Sequence, residues 1–234
     1  MWMRCAVRRN VRSRAALVEE CLPAAGLQRL PGLRPPGDDL DRKPPVYCGV
    51  DLAASPRRPT GLGFLAGSRI RTYVVHDDAE ILRRIFRMRP RVVLVDAPLS
   101  LPPGRKSPDD RSGGHFRPCD LALRRRGIRF FPVTLGAMRR LTERGLALAR
   151  ELRKAGFLVH ECFPGGAQDL LGLPRQHRDR VGLVAGLRRL GLRGLRGDAT
   201  GDELDAATAA LVAKWFDLGR ARLWGGRRGI VMPS

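Results

Sequence analysis

The chain has 234 residues, 43% hydrophobic and 29% charged, a balance that excludes a chain disordered throughout or collagen-like and leaves room for one large domain with an appendage. Its longest apolar runs, such as Val92-Val93-Leu94-Val95, fall far short of the ~20 residues that cross a bilayer, so no transmembrane segment and no membrane partner are expected. Lysine plus arginine outnumber aspartate plus glutamate by 44 to 23, and the net charge of +21 makes nucleic acid, DNA or RNA, the expected partner.

Only four of the basic residues are lysines (Lys43, Lys106, Lys154 and Lys214), a skew towards arginine that a biased coding composition also produces without any ligand. The five cysteines are scattered with no C-x-x-C pair, which excludes a recognisable zinc site and points to reduced thiols and a cytoplasmic setting. Residues 1–45 read as a basic, Pro-rich and partly disordered extension. Its arginines are followed by no apolar stretch, so a secretory signal is not expected.

From Val46 the pattern becomes regular, and residues 46–234 read as the folded domain. Residues 46–52 form an expected strand, and 61–65 and 69–76 two more, joined by the turn signal Ala66-Gly67-Ser68. Asp77-Asp78 can cap a helix over about 78–88, which Pro90 ends. Residues 91–96 are apolar on both faces, as in a central parallel strand covered by helices. A long Pro- and Gly-rich loop spans 98–118, followed by a helix over about 136–155, a strand over 157–163, a turn at Pro164-Gly165-Gly166, a basic helix over 177–190 and a final helix from Thr200 to about Leu218. The order predicts an α/β fold: a mixed five-stranded sheet, three strands in an antiparallel meander and two parallel, covered by helices.

Acidic residues stand where this pattern expects a core. Asp51 ends the first strand and Asp96 the fourth, and adjacent parallel strands would bring them about 4.8 Å apart laterally. Two such charges repel and call for a proton or a cation between them, although each could simply cap the turn that follows. On the last helix, Asp205 heads the stripe Asp205, Ala209, Val212 and Phe216, which Asp202 extends backwards; an arginine partner is the ordinary alternative. Thr200 and Glu203 have the spacing of a capping box. Glu161 lies on the fifth strand with its face undetermined, open to a metal-site role or an ion pair. Hard oxygen ligands clustered without cysteine or histidine select Mg²⁺ or Mn²⁺.

The element order, with acids on the first strand, the fourth strand and the last helix, resembles the RNase H-like superfamily. More narrowly, Gly49-Val50-Asp51-Leu52-Ala53, Asp96-Ala97-Pro98-Leu99-Ser100, Arg117-Pro118-Cys119-Asp120, Glu161-Cys162-Phe163-Pro164-Gly165 and Asp202-Glu203-Leu204-Asp205-Ala206 resemble, over about 46–234, the family called domain of unknown function 429, described as predicted RNase H-like nucleases. The resemblance implies a metal-dependent nuclease that hydrolyses phosphodiester bonds in DNA or RNA. Asp51, Asp96, Asp205 and Glu161 would be catalytic, and Asp51, Asp96, Asp202 and Asp205 would hold the metal. A non-catalytic nucleic-acid-binding module on the same scaffold is the alternative. Arg105, Lys106 and Arg111, with Arg117 at the end of the long loop and Arg124 and Arg125 beyond it, are the expected phosphate contacts. The loop itself, starting beside Asp96, suits a mobile strap.

Overall fold

In the computed structural model, which describes residues 43–234, the strand Val46–Asp51 (β1) pairs antiparallel with Thr60–Ala66 (β2), and β2 antiparallel with Arg69–Val75 (β3). The β2–β3 turn passes through Gly67 at φ 58°, a left-handed conformation that glycine adopts without steric penalty. Asp77 caps the helix Asp78–Met88 (α1) by accepting the Glu80 N–H, and the chain returns as Val92–Asp96 (β4), parallel to β1. After the long loop come the helices Pro118–Arg125 (α2) and Gly136–Lys154 (α3), then Val159–Cys162 (β5), parallel to β4. The helices Pro164–Leu170 (α4), Arg180–Arg189 (α5) and Gly201–Asp217 (α6) follow, and the chain ends in Ala221–Trp224 (β6) and Ile230–Pro233 (β7).

The sheet order is β3-β2-β1-β4-β5-β7-β6. This is the mixed α/β arrangement expected from the sequence, with seven strands instead of five: β7 adds to β5 in parallel, and β6 closes the edge as its antiparallel partner. The N-terminal extension expected over 1–45 lies, up to residue 42, outside the described residues.

Strand parity splits the interior into two layers. On β1 and β4, Cys48, Val50, Val93 and Val95 face the layer shared with Ile81 and Ile85 of α1 and Leu148 and Leu152 of α3. Tyr47, Val92 and Leu94 face the opposite layer, built with α5 and α6. By the same alternation, Asp51 and Asp96 project to the α6 side.

Helix α6 lies against the sheet at backbone contact. A Cβ on Gly49 would collide with the Ala206 carbonyl, and one on Gly61 with the Asp202 carbonyl. Glycine on the strands and alanine on the helix therefore set the distance that delivers the first turns of α6 to the ends of β1 and β4. The capping box fixes where the helix begins: Thr200 Oγ1 accepts the Glu203 N–H at 3.2 Å, and Glu203 Oε2 accepts the Thr200 N–H at 2.9 Å.

Candidate active site

The parallel register of β1 and β4 places Asp51 directly beside Asp96. Burial and the neighbouring carboxylates Asp96, Asp205 and Asp202 push the Asp51 carboxyl well above its ordinary range. Burial, Asp205 and Glu161 do the same to Asp96. Every influence on these two groups acts upward, so ionising both in the free protein is disfavoured and the site calls for a retained proton or a bound cation.

Asp205 enters from the second turn of α6. Burial and Asp202 raise its carboxyl to about 6, against the lowering effect of Gln168 and Arg175. The Gln168 amide, fully buried on α4, donates from Nε2 to Asp205 Oδ1 at 2.6 Å and to Thr208 Oγ1 at 3.1 Å, fixing which way the carboxylate points. Gln168 Oε1 is buried without a hydrogen-bond partner among the described residues. Asp202 stands at the rim, where it lines a cavity of about 220 Å³ with Asp51 and Arg58. Burial raises its carboxyl and Arg58 offsets part of that effect.

Among the described residues no three His, Cys, Asp or Glu side chains are drawn close enough to form a closed metal-binding group. The carboxylates make an open cluster. Its chemistry nevertheless fits a hard divalent ion: the donors are all oxygen, and the carboxyls are crowded together and partly buried.

Glu161 is near enough to raise Asp96 but points away from this cluster. Its register partner on β4 is Val95, so its side chain projects to the α3 side while Asp51 and Asp96 project to the α6 side. There its Oε2 accepts the Leu99 N–H at 2.8 Å and Arg117 Nη1 at 2.6 Å, and its Oε1 accepts Arg117 Nη2 at 2.9 Å. With both oxygens committed and a side chain only 4% exposed, Glu161 makes the ion pair that the sequence leaves open as the alternative to a metal-site role.

Arg117 likewise differs from expectation. Its side chain is 5% exposed, and besides Glu161 it holds Asp120 through Nε and Nη2, so it cannot reach a phosphate backbone. Arg117 instead joins the start of α2 to β5 and, through Glu161, to the loop that leaves Asp96.

That loop is also tied to itself, unlike a free strap. Gly114 N donates to the Pro103 carbonyl at 2.9 Å, Asp110 accepts the Lys106 and Ser112 N–H groups at 2.8 Å each, and Arg105 binds the carbonyls of Gly114 and Asp110. The Arg105 guanidinium is thus used inside the loop. Lys106, Arg111, Arg124 and Arg125 are exposed. Arg124 lies over the Phe116 ring at 5.8 Å from its centroid.

Sequence reasoning misses Gln168, which falls between the turn at Pro164-Gly165-Gly166 and the helix over 177–190 where no element is expected, and misses the clamp made by Arg117, because nothing in a sequence separates a buried arginine from an exposed one. The Pro118 and Pro164 positions were the available signals, since proline is favoured in the first turn of a helix.

A family model described as "Protein of unknown function (DUF429)" matches residues 49–228, and the chain belongs to that family. Among solved structures, the chain is similar to Thermus thermophilus RuvC in complex with a Holliday junction substrate, with a TM-score of 0.46 and 17% identity over 74% of this chain and 96% of that one. It is also similar to a second Thermus thermophilus RuvC structure, with a TM-score of 0.43 and 17% identity at the same coverage. No curated protein matches it. Among the described residues no helix is long and apolar enough to cross a membrane.

Proposed function

We propose that this member of the family is a divalent-metal-dependent nuclease that hydrolyses phosphodiester bonds in nucleic acid. The observation that carries the reading is the convergence of Asp51, Asp96 and Asp205 on one side of the sheet, with burial and mutual repulsion raising all three carboxyls. A protein does not stabilise itself by such a cluster; like charges in one partly buried site favour a cation there. A net charge of +21 on the chain suits a polyanionic substrate.

Asp51, Asp96 and Asp205 would hold Mg²⁺ or Mn²⁺, with Asp202 at the rim. The ion, when bound, would polarise the phosphate and lower the pKa of a water. The chain's own contributions are positional and electrostatic. The β1–β4 register fixes two carboxylates side by side. Gln168 orients the third. The close packing of α6 on Gly49 and Gly61 keeps that third carboxylate from drifting away from the strand ends. Exposed Lys106, Arg111, Arg124 and Arg125 would bind flanking phosphates.

The test is cleavage of single-stranded, duplex, hybrid and branched substrates with Mg²⁺ or Mn²⁺, comparing the full chain with Asp51→Asn. The expected result is metal-dependent cleavage that falls by at least a hundredfold in the variant. Equal activity in both proteins, or none in either, would overturn the proposal and leave a binding module in its place.

A further inference from the structure

Beside the carboxylates runs a cleft of about 930 Å³, near the upper end of the ~300–1,000 Å³ usual for ligand sites. Asp96 is one of its lining residues, so the cleft reaches the proposed reaction centre. Its walls are unusual for a chain with so few aromatics. Phe116, Phe130, Phe131 and Phe163 all line it, half of the eight phenylalanines in the sequence.

These rings are not all core. Phe130 and Phe163 are partly buried against the inner layer, and Phe116 meets Phe130 edge-on with centroids 6.1 Å apart. Phe131, on the connection between α2 and α3, is 73% exposed. An exposed phenylalanine at the mouth of an aromatic cleft leaves an apolar ring face in water, and a planar ligand would cover it.

The surrounding charge narrows the choice of ligand. Arg124, Arg129 and Arg175 also line the cleft; Arg124 sits over Phe116, and Arg175 lies 5.3 Å from the Phe163 ring centroid. Flat apolar walls interleaved with guanidinium groups match a ligand that alternates planar rings with phosphates. An intact duplex does not offer this, because its base faces are already stacked on one another. A single strand does.

We infer that this cleft is a base-binding subsite, and that the substrate presents an unpaired, unstacked nucleotide of single-stranded nucleic acid beside the carboxylates. The inference deepens the nuclease reading and rests on it for the position of the scissile phosphate. Stacking of a base on aromatic side chains contributes about 1–3 kcal/mol, roughly 5- to 150-fold in affinity, and tolerates any sequence because every base has a π-face. The subsite therefore selects strandedness and not sequence.

Binding can be measured separately from cleavage, by fluorescence anisotropy of the full chain in a chelator. The probes are a labelled oligothymidylate, an abasic chain of the same length and charge, and a blunt duplex of the same length. The oligothymidylate is expected to bind about tenfold more tightly than the abasic chain, within the stacking range above, and more tightly than the duplex. Phe131→Ala, at an exposed position where the fold is undisturbed, should remove much of that preference while leaving abasic-chain binding unchanged. Arg124→Ala with Arg129→Ala should weaken all three probes and make the salt dependence shallower.

Equal affinity for base-bearing and abasic chains would assign the aromatic face to another occupant, such as an apolar protein segment, and overturn the inference. So would duplex binding as tight as single-strand binding, or an undiminished base preference in Phe131→Ala. Base-independent binding accompanied by cleavage would sink the subsite and leave the nuclease standing. Base-dependent binding without cleavage under any metal would do the reverse.

Discussion

Removing the Arg117 guanidinium leaves two carboxylates, Asp120 and Glu161, buried at 2% and 4% side-chain exposure with their shared counter-charge gone. In Arg117→Met the volume is approximately kept, so the loss is mainly electrostatic. The guanidinium makes contacts of 2.8 Å to Asp120 and of 2.6 and 2.9 Å to Glu161, and breaking a buried pair by deleting one partner costs about 3–5 kcal/mol. For a domain of this size each kcal/mol moves the midpoint by about 2–4 °C, so a fall of roughly 10 °C is expected in a thermal melt. The sign of the pH dependence follows from Glu161. Burial already raises its carboxyl and Arg117 holds it down, so in the variant it rises further above its unfolded value. A carboxyl raised in the folded state binds its proton more tightly there than in the unfolded chain, so the associated stability is present in acid and lost as pH rises through the raised value. The deficit of Arg117→Met should therefore be largest near neutrality and shrink towards pH 5. The triple variant Arg117→Met, Asp120→Asn, Glu161→Gln should recover much of the loss, because it removes the stranded charges as well. A single-variant cost below about 1 kcal/mol, or a deficit independent of pH, would refute the buried clamp.

Two further substitutions probe how the acids are placed. Gly49→Ala should destabilise by about 3 kcal/mol or more in urea titration, because the new Cβ meets the Ala206 carbonyl and the Ala209 Cβ, whereas Gly136→Ala, with nothing within 4 Å, should be neutral or slightly stabilising. Carboxyl-detected NMR of the metal-free protein should find Asp205 titrating at about 6, and Gln168→Leu should move it higher by removing the amide that lowers it. Because that value lies above the unfolded one, the metal-free protein loses the corresponding stability as pH rises from about 4 to 6. An Asp205 that titrates at the ordinary carboxylate value in both proteins would contradict the placement.

The parts of the site that follow from local pattern were legible in the sequence. Asp51 and Asp96 stand at the ends of apolar strands whose bounds are visible from composition, and Thr200 with Glu203 marks the start of α6 within a residue. What depends on register was not. Glu161 and Asp96 each lie near the end of a strand, and only the pairing of Glu161 with Val95 shows that they face opposite layers. Pro118 and Pro164 suggest loop punctuation when read singly, yet each occupies the first turn of a short helix, where its missing N–H costs nothing. β6 and β7 are four residues each, too short for alternation to register, and their connection turns through Gly225 and Gly226 at φ 84° and 86°. Arg117 and Gln168 matter because of partners 44 and 37 residues away, which no local window contains.

If Asp51, Asp96 and Asp205 form a cation site, calorimetric titration of Mn²⁺ into the metal-free full chain reads it, with Asp51→Asn measured alongside. The wild type should bind Mn²⁺ saturably and melt at higher temperature when loaded. Asp51→Asn should lose that binding yet melt no lower than wild type in chelator, because the substitution removes one charge from a group that repels itself. Equal Mn²⁺ binding by the two proteins, or none by the wild type, would rule out a cation site on these three carboxylates.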